Sequence, residues 1–154
     1  MAFDVVIRDY RIQKEYINEN KTTARMKIER FEDLEIWKDA RELCKYVFKI
    51  TSHEPFSKDY KFRDQIRSSS GSVMDNIAEG FGRGGNKEFI NFLSIAKGSN
   101  DETRSQSYRA FDFDYISEEK LNDLLEQTDK ISKKTSSFIK HLKGSTIRGS
   151  KFPK

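Results

Sequence analysis

Residues 67–86 read RSSSGSVMDNIAEGFGRGGN, from Arg67 to Asn86. The stretch sets small residues (Ser68, Ser69, Ser70, Gly71, Ser72, Ala78) beside polar ones (Asn76, Glu79, Arg83), then breaks at Gly80, Gly82, Gly84 and Gly85. Small side chains on one helix face let a neighbouring helix come close. Glycines that follow a helical run end it, because they take left-handed backbone without a Cβ clash. The string from Gly80 to Gly85 does satisfy G-x-G-x-x-G. A dinucleotide site needs a strand before that motif, and a long helical pattern precedes it here. The glycines are therefore read as a helix stop and a turn, with Asn86 capping the next helix.

Upstream, the helix that carries this stretch (helix two) is expected from near Ser57 to about Phe81. Phe62, Ile66, Val73 and Ile77 line one face, with Ser69, Ser70 and Gly80 on the same side. Beside them run Gln65, Ser72, Asn76, Glu79 and Arg83. Their helical steps stack these side chains on one line. The line is either a solvated flank or a polar network sealed against another helix or subunit. A sealed network must be fully hydrogen-bonded.

Three more amphipathic patterns surround it. Helix one is predicted over Phe31 to Thr51, with a stripe of Leu34, Trp37, Ala40, Cys44 and Val47 widened by Leu43 and Phe48. Pro55 bars its continuation. Helix three covers about Lys87 to Phe113. Phe89, Leu93 and Ala96 make its apolar face, but Asn100, Thr103 and Ser107 continue the same side, and Gly98 and Ser99 suggest close packing. Helix four opens at Ser117, an N-cap followed by Glu118 and Glu119. Leu121, Leu124, Leu125, Thr128, Ile131, Thr135, Phe138, Ile139 and Leu142 form its stripe, and Gly144 is expected to end it. Four such helices with short turns predict an all-α, antiparallel up-down-up-down four-helix bundle over residues 28–144. Residues 1–27 read as a flexible or loosely docked N-terminal extension, with Met26 as a candidate start, and residues 145–154 as a basic, mobile tail.

Hydrophobic and charged residues each make up 35% of the chain, which is little apolar material for a core. Long helices tolerate this because only one stripe each needs burial. Charge is uneven. From Lys130 onward there are eight basic residues and no acid, so the preceding part holds the remaining 21 basic residues against 25 acidic ones. Such an end attracts phosphates. It is equally what a favourable helix C-terminus followed by a solvated tail looks like. The single cysteine, Cys44, excludes an intrachain disulfide and falls in an apolar stripe as a filler. No signal peptide or membrane-spanning run is visible, and a cytoplasmic protein is expected.

Enzyme signals are weak. His53 and His141 lack partners at metal-ligand spacing, and neither is preceded by Glu at the third position, as a di-iron bundle requires. No phosphate loop occurs. No catalytic residue, metal, cofactor, small-molecule substrate or membrane partner is expected. Arg63, Arg67, Arg83, Lys87, Lys97, Lys140 and Lys143 are the candidate contacts to nucleic acid, through sequence-independent, salt-sensitive binding. The alternative is that these charges only solvate exposed faces. Gln65, Ser72, Asn76, Glu79 and Arg83 are the candidate interface or polar network.

The runs FEDLEIWKDARELCKYVFKIT and QIRSSSGSVMDNIAEGFGRGGNKEFINFLSIAKGS resemble the bacterial four-helix bundle family that includes the intervening-sequence protein encoded within some 23S ribosomal RNA genes. The family is similar to the accessory variability determinant of diversity-generating retroelements. The most specific pieces are Asn76 to Gly80 with Arg83, and Ala96 to Ser99. The resemblance, over about residues 28–143, implies a homo-oligomer of five bundles with a basic face. It also implies association with RNA or a ribonucleoprotein rather than catalysis. The sequence differs from the family pattern at Ser57-Lys58-Asp59 and at Asn100, Arg104 and Tyr108. The expected function is a non-catalytic oligomeric bundle that binds RNA or a ribonucleoprotein through basic surfaces. The alternative is a structural adaptor that binds protein only.

Overall fold

The computed structural model describes residues 28–150, with side chains through residue 145. The N-terminal extension, the start at Met26 and the end of the basic tail lie outside the described residues. Four helices carry the fold: α1 (Glu35–Ile50), α2 (Tyr60–Gly82), α3 (Asn86–Asp112) and α4 (Glu118–Ser150). Short 3-10 turns at Phe31–Asp33 and Phe56–Lys58 precede α1 and α2. The described residues contain no strand.

Side-chain pairs fix the topology. Gln65 meets Arg109, Ser72 meets Ser99, and Gly80 lies against Phe92, so α2 and α3 run antiparallel. Arg104 reaches Leu125 and Phe89 reaches Phe138, so α4 opposes α3. Tyr46 reaches Asp123 and Lys134 reaches Asp39, so α1 opposes α4. This is the up-down-up-down bundle.

The core is built as the stripes predict, with local differences. Phe62, Ile66, Ser69, Ser70, Val73, Ile77 and Gly80 are all buried on α2. On α1 the buried line is Ile36, Ala40, Leu43, Val47 and Ile50. Cys44 is only half-buried, and Phe48, expected to widen the stripe, is 60% exposed. The buried line runs one turn-step to the side of the expected one, so Phe48 faces solvent. On α3, Asn100, Thr103, Gln106 and Ser107 are buried along with Phe89, Leu93, Ala96 and Ala110.

Helix ends also differ from the sequence expectation. Asp59 is the N-cap of α2, accepting from Phe62 N at 3.1 Å, so this helix begins after Ser57. Gly85, in extended backbone, is the N-cap of α3, which places Asn86 inside the first turn. Gly84 has φ +74°, the left-handed conformation the turn requires. Ser117 accepts from Lys120 N at 3.3 Å, as an N-cap should. Gly144 does not stop α4, which continues to Ser150. One exposed glycine weakens a helix by only about 1 kcal/mol and need not end it.

Two helical glycines behave in opposite ways. A Cβ on Gly80 would lie 2.5 Å from Phe92 Cβ and 3.0 Å from the Phe89 ring, so this glycine is where α3 crosses α2 closely. Gly98 has nothing within 4 Å and does not mediate close packing. Gly80→Ala is therefore expected to lower stability by about 2 kcal/mol through overpacking. Gly98→Ala is expected to raise it by up to about 1 kcal/mol through helix propensity. Urea midpoints of the two variants check both signs.

Candidate nucleic-acid interface

The seven candidate phosphate contacts do not form one surface. Arg63 and Arg67 lie at the end of the bundle where α1 passes into α2. Arg83, Lys87, Lys140 and Lys143 lie at the opposite end, where α2 turns into α3 and the C-terminal half of α4 arrives. Roughly 24 Å of helix separates Arg67 from Arg83, at about 1.5 Å per residue. Lys97 lies between them, 3.9 Å from Asp101.

The arginines at the first end help hold the fold. Arg67 donates from Nε to Thr51 Oγ1 at 2.7 Å and from Nη2 to Ser52 Oγ at 3.2 Å. Thr51 is fully buried, so this contact ties the end of α1 to α2. Arg63 donates from Nε to Asp64 at 2.8 Å and from Nη1 to the Ser57 carbonyl at 3.2 Å.

At the second end, Arg83 pairs with Glu79 at 2.7 Å and its guanidinium lies over the Phe92 ring. Lys87, Lys140 and Lys143 are exposed. Other basic residues of α4 are engaged. Lys130 and Lys134 share Asp39 of α1 at 2.8 and 2.6 Å, and Lys133 pairs with Asp129 at 2.6 Å. The basic run of α4 thus divides into lysines that hold α1 and lysines that face solvent.

The polar line on α2 meets α3 of the same chain at two points. Gln65 Oε1 accepts from Arg109 Nη2 at 2.8 Å, and the Ser72 and Ser99 hydroxyls are 3.0 Å apart. Asn76 Nδ2 turns back to the Ser72 carbonyl at 2.8 Å. Glu79 and Arg83 pair with each other at the surface.

A buried network, which the sequence marks only as small polar positions, lies beside this line. Ser69 Oγ is 2.6 Å from Gln106 Oε1 and 2.9 Å from Thr103 Oγ1. The amide oxygen can only accept, so Ser69 donates to Gln106, and the Thr103 proton is shared between Ser69 Oγ and the Ser99 carbonyl, each 2.9 Å away. Gln106 Nε2 then donates to Glu102 at 3.1 Å, which carries the chain to the surface. A shallow polar cleft opens there, lined by Gln65, Glu102, Ser105, Gln106 and Arg109. Between α3 and α4, Asn100 Nδ2 donates to the Thr128 carbonyl at 2.8 Å, and Arg104 Nη1 donates to the Leu125 carbonyl at 2.7 Å. Asn100, Arg104 and Gln106 are thus helix-to-helix ties.

Burial, the largest influence, raises the Cys44 thiol, and the Asp75 charge raises it further against a hydrogen bond from Ser70. A thiol held protonated is a poor nucleophile. His53 is exposed and His141 half-buried. Among the described residues no group of His, Cys, Asp and Glu could hold a metal ion. No described helix is long and apolar enough to cross a membrane.

A sequence profile of the family described as 23S rRNA-intervening sequence protein matches residues 32–137. Among solved structures, the chain is similar to a protein of unknown function from the S23 ribosomal protein family of Bacteroides thetaiotaomicron VPI-5482. The two are 25% identical with a TM-score of 0.63, and the match covers 68% of this chain and 98% of that one. No curated protein matches the chain.

Asp39 supplies a pH-dependent contact. Burial pushes its carboxyl up, but hydrogen bonds from Lys130 and Lys134 outweigh this and hold it below 3.8, its ordinary value. A folded value below the unfolded one gives stability that is present above the unfolded value and lost as pH falls through the folded one. Asp39→Asn is expected to lower the denaturant midpoint at about pH 7, with the difference from the parent chain shrinking below about pH 4. Midpoints of both proteins across that range check it.

Proposed function

The chain belongs to the 23S rRNA-intervening sequence protein family, and from that premise we propose that it is a non-catalytic helical-bundle protein that binds structured RNA or a ribonucleoprotein. Contact is made through the basic end of the bundle, by Lys87, Lys140 and Lys143. The observation that carries this reading is the division of lysines on α4. Lys130 and Lys134 are held by Asp39, whereas Lys140 and Lys143 stand exposed beyond the last acid of the chain. Charges left in water at one end of a rigid rod are available to phosphates and contribute little to the fold.

Such binding reads backbone charge rather than base sequence. A homo-oligomer, the pentamer that the family likeness suggests, would repeat this basic end around one axis. Repetition raises avidity without any new contact. A cytoplasmic location fits the same reading.

Gel-shift titrations with a structured RNA at rising salt test it. The parent chain is expected to bind at low salt and release as salt rises. Changing Lys87, Lys140 and Lys143 together to Gln is expected to weaken binding and to reduce the logarithmic salt slope by about 2–3. No binding at low salt would contradict the proposal. A partner set captured by affinity purification and unchanged by nuclease would favour a protein-only adaptor.

A further inference from the structure

Two aromatic rings lie on the outside of the bundle near the α1–α2 connection. Phe48 and Tyr60 are each 60% exposed. A phenylalanine left in water forgoes the free energy of burial, so its place on the surface calls for a reason.

Each ring is met on one side by an arginine. The Arg67 guanidinium lies 4.4 Å from the centroid of Phe48, and that of Arg63 lies 4.9 Å from the centroid of Tyr60. Tyr60, Arg63 and Arg67 are three and four residues apart on α2 and share a face. Arg67 brings α1 to that face through its bonds to Thr51 and Ser52. The result is a surface ladder in the order Phe48, Arg67, Arg63, Tyr60. Arg67 Nη1 and Arg63 Nη2 take no part in the hydrogen bonds that fix these side chains.

The charge around the ladder is positive. Lys49 and Lys61, each next in sequence to one of the rings, are exposed. The neighbouring acids are engaged, Asp64 with Arg63 at 2.8 Å and Glu54 with Lys58 at 3.4 Å. Open aromatic faces interleaved with guanidinium groups and flanked by lysines fit unpaired nucleotides, whose bases stack and whose phosphates carry the charge. A duplex keeps its base faces inside and cannot use the rings. A second copy docked symmetrically through the same face would set Lys49, Lys61, Arg63 and Arg67 against their own like charges.

We infer that the Phe48–Arg67–Arg63–Tyr60 face is a stacking platform for unpaired RNA bases, at a loop, bulge or end. The inference rests on the RNA-binding reading above and gives it a substrate class. It uses a different end of the bundle from Lys87, Lys140 and Lys143, so the two sites are separable.

The test uses the full chain, a hairpin RNA with 2-aminopurine in its loop, and a fully paired duplex of equal length, at one low salt concentration. The parent chain is expected to bind both and to quench the loop fluorophore on stacking. Changing Phe48 and Tyr60 together to Ala is expected to weaken hairpin binding at least about tenfold and abolish the quench, while duplex binding changes little. Tyr60→Phe, which keeps the ring, is expected to behave as the parent. Unchanged hairpin affinity and quench in the double variant would overturn the inference alone, as would an equal loss for hairpin and duplex. Unchanged RNA binding with a lower mass by light scattering would assign the rings to a second copy instead. A parent chain that binds neither RNA would overturn both this inference and the RNA-binding reading.

Discussion

Inside the α2–α3 contact, one hydrogen-bonded chain runs from Thr103 to Ser69 to Gln106 and out to Glu102. Gln106 Oε1 can only accept, so Ser69 donates to it, while the single Thr103 proton has two acceptors 2.9 Å away, Ser69 Oγ and the Ser99 carbonyl. The chain therefore fixes the rotation of both helices and their axial register. Gly80 fixes their separation further along, where no Cβ could fit against Phe92. The rest of the bundle inherits this geometry. α3 carries Asn100 and Arg104 to the carbonyls of α4, and α4 in turn carries Lys130 and Lys134 to Asp39 on α1.

This economy suits a chain with 35% hydrophobic residues. Where an apolar stripe would continue along α3, buried Asn100, Thr103 and Ser107 take its place. Asn100 Nδ2, Thr103 and Ser107 reach the Thr128, Ser99 and Thr103 carbonyls respectively, while Asn100 Oδ1 is buried without a partner. Burying such groups without partners would cost roughly 1–3 kcal/mol each. Paired, each bond contributes about 1 kcal/mol and, more importantly, excludes other registers of the helices. Tyr46 serves the same purpose between α1 and α4. Burial, together with its bond to the Asp123 carboxylate at 2.8 Å, holds its hydroxyl protonated. A bundle held in this way leaves its two ends well defined, one rich in free lysine and the other in arginine and exposed rings.

Much of this was legible in the sequence. The periodicity of Phe62, Ile66, Val73 and Ile77, the stop at Gly84 and Gly85, and the cap at Ser117 are local signals, and the chain obeys them. What was not legible depends on partners distant in sequence. Phe48 follows a buried Val47, and nothing local says that the face turns away from the core there. Gly80 and Gly98 look alike as helical glycines, yet only one meets a neighbour. Gly85 rather than Asn86 caps α3 because the extended glycine lets the helix begin one residue early. Among the candidate contacts, Arg67 and Lys140 are equally basic on paper. The first bonds Thr51 across two helices, whereas the second is simply exposed. Charge placement at the ends follows from three-dimensional pairing, which a charge count does not encode.

The account rests on the buried hydroxyl–amide chain as the tie that sets the α2–α3 register. A double-mutant cycle on Ser69→Ala and Gln106→Met, read by urea unfolding, measures that tie most directly. The geometry predicts a coupling energy of about 1 kcal/mol or more, as expected for residues sharing one buried network. Additivity within about 0.3 kcal/mol would mean that the two side chains do not act together, and would contradict it.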